Sequence, residues 1–100
     1  MNPEEAQKAL ASCRSRIDEI DRDILRLLNE RTRVVQQIGD IKQQVSMPIY
    51  EPKREDEVFA NVTANNAGPL PPEAVKRVFE RVIDEMRTVQ RTRMLNKAGE

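Results

Sequence analysis

The chain has no histidine and no tryptophan, a single cysteine (Cys13), three glycines and three aromatic residues, Tyr50, Phe59 and Phe79. Without histidine, neither a Ser-His nor a Cys-His nucleophilic pair can form, and a metal site would need a carboxylate cluster or Cys13. Neither a metal nor a cofactor is expected. One cysteine forbids an intrachain disulfide, which favours a reducing compartment and makes the cytoplasm the expected location. Aromatics at 3% leave almost no stacking platform for bases or sugars. Seventeen Lys and Arg balance seventeen Asp and Glu, so there is no net positive charge to attract phosphate backbones or anionic lipid. Nucleic acid and membrane are therefore not expected partners. No run approaches the roughly 18 apolar residues of a membrane span, and the acidic start Asn2-Pro3-Glu4-Glu5 lacks the apolar centre of a secretory signal.

What remains is 38% hydrophobic and 34% charged residue, a mixture that favours long amphipathic helices over a sheet and predicts an all-α fold. One hundred residues make one domain, 1–100, able to bury about two-thirds of the surface it exposes unfolded. Asn2 suits a helix cap, Pro3 the first helical position, and Glu4 and Glu5 the positive end of the dipole. From Leu10 onward the apolar residues follow heptads. One row is Leu10, Ile17, Ile24, Arg31, Ile38 and Val45; the other is Cys13, Ile20, Leu27, Val34 and Ile41. Ten of these eleven positions are apolar, Arg31 being the exception. Pro48 stops the run, so helix 1 is predicted over about 3–46. Pro48 and Pro52 bracket an extended turn. Val58, Phe59 and Val62 then give a short helix 2 over about 53–65, ended by Asn65-Asn66-Ala67-Gly68-Pro69. Pro71, Pro72 and Glu73 open helix 3, predicted over about 71–94 with fraying beyond.

Length bears on assembly. A compact domain of this size has a radius of gyration near 13 Å, whereas about 43 helical residues extend roughly 65 Å. Two shorter helices cannot cover an apolar seam of that length, so a homodimer with paired, intertwined long helices is expected.

Several polar residues sit where the pattern calls for apolar ones. An unpaired guanidinium in the seam is costly, so Arg31 faces either an anionic ligand or a carboxylate such as Glu55 or Asp21, unless it serves to fix helix register. Lys42 follows it by three turns, about 16 Å on, and is either a second inward cation or a solvated flank. Gln90 lies one turn beyond Met86 on the apolar face of helix 3 and needs a hydrogen-bond partner, in a neighbouring helix or a ligand. Glu55, one turn before Phe59, turns a carboxylate inward, although capping of helix 2 explains Glu51 and Glu55 equally well. Arg14 lies about 25 Å from Arg31 along the same helix, so it can share a small ligand with Arg31 only from a second chain. Otherwise it is a surface residue beside Asp18. Cys13 reads as a small core filler, and Gly39 as a point where another helix or a ligand comes close.

Arg14 in Cys-Arg-Ser-Arg-Ile-Asp, then Ile24-Leu25-Arg26-Leu27-Leu28-Asn29-Glu30-Arg31, Ile38-Gly39-Asp40-Ile41-Lys42, Pro48-Ile49-Tyr50-Glu51-Pro52-Lys53-Arg54-Glu55 and Gln90 stand in an order that resembles the all-helical class of chorismate mutases over essentially the whole chain. The resemblance implies an intertwined dimer of three-helix chains. It implies that Arg31 and Lys42 of one chain and Arg14 of the other bind the two carboxylates of chorismate. Lys42 and Gln90 would donate to the ether oxygen whose bond breaks, and Glu55 and Glu51 would receive the ring hydroxyl with Arg54 nearby. The chain departs from the family in carrying Met86 where many relatives have a small hydroxyl residue, and Glu51 where Asp is commoner. The implied reaction, chorismate to prephenate in aromatic amino acid biosynthesis, needs no nucleophile, metal or cofactor. An isochorismate-pyruvate lyase of similar fold and a non-catalytic helical dimerisation module are the competing readings.

Overall fold

A computed structural model describes residues 1–98, side chains through 96, and shows three helices and no strand among them: α1 (Pro3–Gln44), α2 (Pro52–Ala64) and α3 (Pro72–Ala98). The start of α1 is a reciprocal cap. The Glu5 amide donates to Asn2 Oδ1 at 2.8 Å, and Asn2 Nδ2 donates to the Glu5 carboxylate at 3.2 Å, an arrangement that stabilises a helix end by about 1 kcal/mol.

The end of α1 falls two residues before the predicted one, because the chain closes the helix with its own backbone before Pro48 acts. Ser46 takes a left-handed conformation, φ 55°. Its amide then donates to the Gln43 carbonyl at 3.4 Å and that of Met47 to the Lys42 carbonyl at 2.8 Å, the paired bonds of a Schellman cap. α2 begins at Pro52, with Glu51 at its N-cap but making no side-chain cap bond. α3 begins at Pro72 because the Pro71 carbonyl accepts from Ala74 and Val75 and so serves as the cap. It runs on to Ala98 rather than fraying from 94, since Leu95, Lys97 and Ala98 favour helix and no proline or glycine intervenes. Residues 99 and 100 lie outside the described residues. Between α2 and α3, Asn66 folds the chain by accepting from the Gly68 amide at 3.0 Å and donating to the Leu70 carbonyl at 2.7 Å, with Gly68 at φ 78°.

The chain divides into two compact units, Met1–Arg33 and Val34–Glu100. The first is a stretch of α1. Its apolar seam residues Leu10, Ile17, Ile20, Ile24 and Leu27 are exposed, and so is Cys13, which is no core filler within this chain. Along its flanks run exposed ion pairs, Arg16 with Glu19 at 3.1 Å and Arg26 with Glu30 at 3.0 Å, each contributing a few tenths of a kcal/mol.

The second unit holds the end of α1 together with α2 and α3. Its core is Val75, Ile83 and Met86, all from one stripe of α3, with Val58, Phe59 and Val62 of α2 half-buried. The Lys76 ammonium lies 5.9 Å from the centre of the Phe59 ring. Here α1 does not use its heptad seam. Val34, Ile38, Ile41 and Val45 are between 42% and 61% exposed. The face that meets α3 carries Val35, Gly39 and Asp40, with Lys42 beneath. Among the described residues no helix is long and apolar enough to cross a membrane.

Candidate active site

Lys42 sits in the last turn of α1 and is only 8% exposed, so it is not a solvated flank residue. Burying an ammonium demands compensation, and the chain supplies it by turning back over the helix end. After the Schellman cap, the Ile49 carbonyl accepts from Lys42 Nζ at 3.1 Å and the Glu51 carboxylate forms an ion pair with the same atom. Glu51 therefore serves Lys42 rather than capping α2. An ammonium has three N–H donors. Two are committed to these partners among the described residues, and one remains.

Gln90, also 8% exposed, is set on α3 one turn beyond the buried Met86. Its Nε2 donates to the Val35 carbonyl of α1 at 3.2 Å, which fixes the amide plane and leaves the second N–H of the same nitrogen. Gly39 lies beside it. A Cβ on Gly39 would sit 3.7 Å from Gln90 Cγ and 3.8 Å from Nε2, ordinary contact distances. The neighbour anticipated at this glycine is thus the Gln90 side chain, and the approach is close without being forbidden to alanine.

Glu55 occupies the first turn of α2 and is half-buried, with its Oε1 accepting from Arg87 Nη2 at 2.9 Å. The same Nη2 lies 3.2 Å from Asp84 Oδ1, and the guanidinium carbon of Arg87 stands 5.6 Å from the centre of the Tyr50 ring. Arg54, by contrast, is exposed and pairs with Glu57 at 3.2 Å. Farther along α3, Arg93 reaches Asp40 of α1 at 3.1 Å. In the first unit Arg14 is exposed and Arg31 half-buried.

The second unit therefore brings Lys42 together with Glu51, and Gln90 with Gly39 beside Met86. Arg87 and Arg93 are the side chains that sequence reasoning passes over. Arg87 follows Ile83 by one turn and adjoins Met86, so it borders the inward stripe of α3 as visibly as Gln90 does. Among the described residues no group of three His, Cys, Asp or Glu side chains is placed to hold a metal. Among the described residues, the polar side chains that are buried as a whole are those of Lys42 and Gln90, both donors held by backbone carbonyls. Donors fixed in this way are suited to stabilising negative charge on an oxygen.

Together these features define an all-helical domain with a fixed set of buried hydrogen-bond donors. Residues 13–91 match the family chorismate mutase type II, and the chain belongs to that family. It is 40% identical over 78 residues to the bifunctional chorismate mutase/prephenate dehydratase of Aquifex aeolicus, a match covering 74% of this chain and 22% of that protein. Among solved structures, the form II chorismate mutase of Thermus thermophilus aligns with TM-score 0.81 and 37% identity over 83% of this chain and 94% of that one. The Helicobacter pylori chorismate mutase in complex with prephenate aligns with TM-score 0.79 and 29% identity, over 85% and 92% respectively. The chain spans about a fifth of the length of the bifunctional relatives that it matches.

Proposed function

We propose that this chain rearranges chorismate to prephenate, a precursor of phenylalanine and tyrosine, and that it does so as a homodimer in the cytoplasm. The observation that carries the reading is the burial of the Lys42 ammonium and the Gln90 amide, each with one donor anchored on a backbone carbonyl and another to spare. A module built only to dimerise gains nothing from burying these two groups, which cost free energy wherever they are not fully paired.

The rearrangement is concerted. The carbon–oxygen bond of the enolpyruvyl ether breaks while a carbon–carbon bond forms across the ring, and no proton, metal or nucleophile need take part. Two physical tasks remain. One is to hold a flexible dianion in the folded conformer that brings the reacting carbons together. Arg31 and Lys42 take this task, with Arg14 from the second copy, by gripping the two carboxylates. The other is to meet the negative charge that grows on the ether oxygen as its bond stretches. Lys42 and Gln90 donate to that oxygen, and since their orientation is set before substrate arrives, the stabilisation is larger in the transition state than in the ground state. Glu55 and the Glu51 region receive the ring hydroxyl, and Met86 makes an apolar wall where a hydroxyl side chain is the family alternative.

The dimer is supported by the exposed apolar rows of α1, Leu10 to Leu27 in one unit and Val34 to Val45 in the other. Purified protein offered chorismate and isochorismate in parallel tests the reading. Prephenate from chorismate is expected. Salicylate and pyruvate from isochorismate, with chorismate untouched, would mark it as a lyase, and a fully active monomer in sedimentation would overturn the shared site.

A further inference from the structure

Arg87 carries more weight than the sequence suggests. Its guanidinium joins three segments of the second unit: Glu55 on α2, Asp84 on its own helix, and Tyr50 in the connection that returns over Lys42. Its Nε is buried, with no hydrogen-bond partner among the described residues. The pair with Glu55 is sheltered, with Arg87 28% and Glu55 20% exposed at the side chain.

We infer that Arg87 is a positioning residue of the active site, whose guanidinium holds the Glu55 carboxylate and cancels its charge so that a dianionic substrate can lie against it. This rests on the reading of Glu55 as acceptor of the ring hydroxyl. The physical problem is specific to that reading: a carboxylate is the best acceptor for a hydroxyl, yet it repels a ligand carrying two negative charges. The unit answers it twice in the same way, pairing Glu51 with Lys42 and Glu55 with Arg87. Arg87 binds Oε1 of Glu55, which leaves Oε2 to accept from the substrate. Because the substrate keeps both charges from ground state to transition state, cancelling Glu55 acts on binding more than on the chemical step.

The test compares Arg87→Gln and Arg87→Lys in the parent chain, and Arg87→Gln in a Glu55→Ala background. Glutamine keeps a hydrogen bond to Oε1 without the charge, and lysine keeps the charge. For Arg87→Gln, KM for chorismate should rise about tenfold with kcat within about threefold, the order expected for one uncompensated charge in a half-buried site. Arg87→Lys should stay within about threefold of the parent, and in the Glu55→Ala background Arg87→Gln should change KM by less than about twofold. An unchanged KM in Arg87→Gln overturns the inference. So does an equal rise in both Arg87 variants, or a rise that persists without Glu55, since either marks a packing role. Glu55→Ala is the separate control: parental kinetics in that variant would overturn the assignment of Glu55 itself, whereas a loss there with no effect at Arg87 would overturn only the role of Arg87.

Discussion

Replacing Lys42 by methionine keeps most of the apolar stem and removes only the ammonium, so it isolates what that charge does. Two partners lose a donor. The Glu51 carboxylate is 43% exposed at the side chain, so water can take over and the lost ion pair costs at most about 1 kcal/mol. The Ile49 carbonyl accepts from Lys42 at 3.1 Å, and losing that bond costs about 1–2 kcal/mol. The variant should therefore fold, less stable by about 1–3 kcal/mol, with its helical circular dichroism intact. Turnover should suffer much more. Loss of one preorganised donor to a developing oxyanion lowers kcat by about a hundredfold to a thousandfold. Following the disappearance of chorismate by absorbance gives kcat and KM separately, and KM should rise as well if Lys42 also grips a substrate carboxylate, as proposed. A folded variant whose kcat stays within about tenfold of the parent would refute the claim that this ammonium stabilises the transition state.

Gln90→Glu should tie activity to acid pH, because a carboxyl group donates a hydrogen bond only when protonated; a pH profile matching the parent's would contradict donation from this position. Equal mixing of inactive Arg14→Ala and Lys42→Ala chains should restore about a quarter of parental activity, since half of the dimers are mixed and each holds one intact site. No recovery after demonstrated subunit exchange would rule out a shared site. Ser46→Gly should raise the melting temperature by several degrees, because glycine takes the φ of 55° at this helix end without the cost borne by a Cβ, about 1 kcal/mol. A fall in melting temperature would show that Ser46 is not strained there.

Prolines and caps make the helices legible. Asn2-Pro3, Pro52, and Pro71-Pro72 each mark a start that α1, α2 and α3 adopt within one residue. Ends are harder to read. The close of α1 depends on a serine adopting a conformation usually left to glycine, and the extension of α3 to Ala98 depends on the absence of a breaker. Gln90 shows itself as an amide in an apolar stripe. Lys42 does not, because its position beside the heptad rows fits an exposed flank as well as a buried cation. Arg87 escapes notice for a related reason: on α3 it has Asp84 three residues before it, so a local surface pair suffices to explain it until α2 brings Glu55 within 2.9 Å.

Read along the chain, residue order and periodicity suffice to establish an all-helical protein, its breaks, the want of any histidine to activate a nucleophile and the family it resembles. These are local matters, decided by which backbone conformations each residue tolerates and by which side chains share a stripe. The packing of the second unit alone settles which stripe of α1 meets α3, that Lys42 is buried beneath a returning segment, and which cation holds each carboxylate. Helical periodicity defines the faces of a helix without saying which of them finds a partner. That choice depends on distances between residues far apart in the chain, and only the folded arrangement sets them.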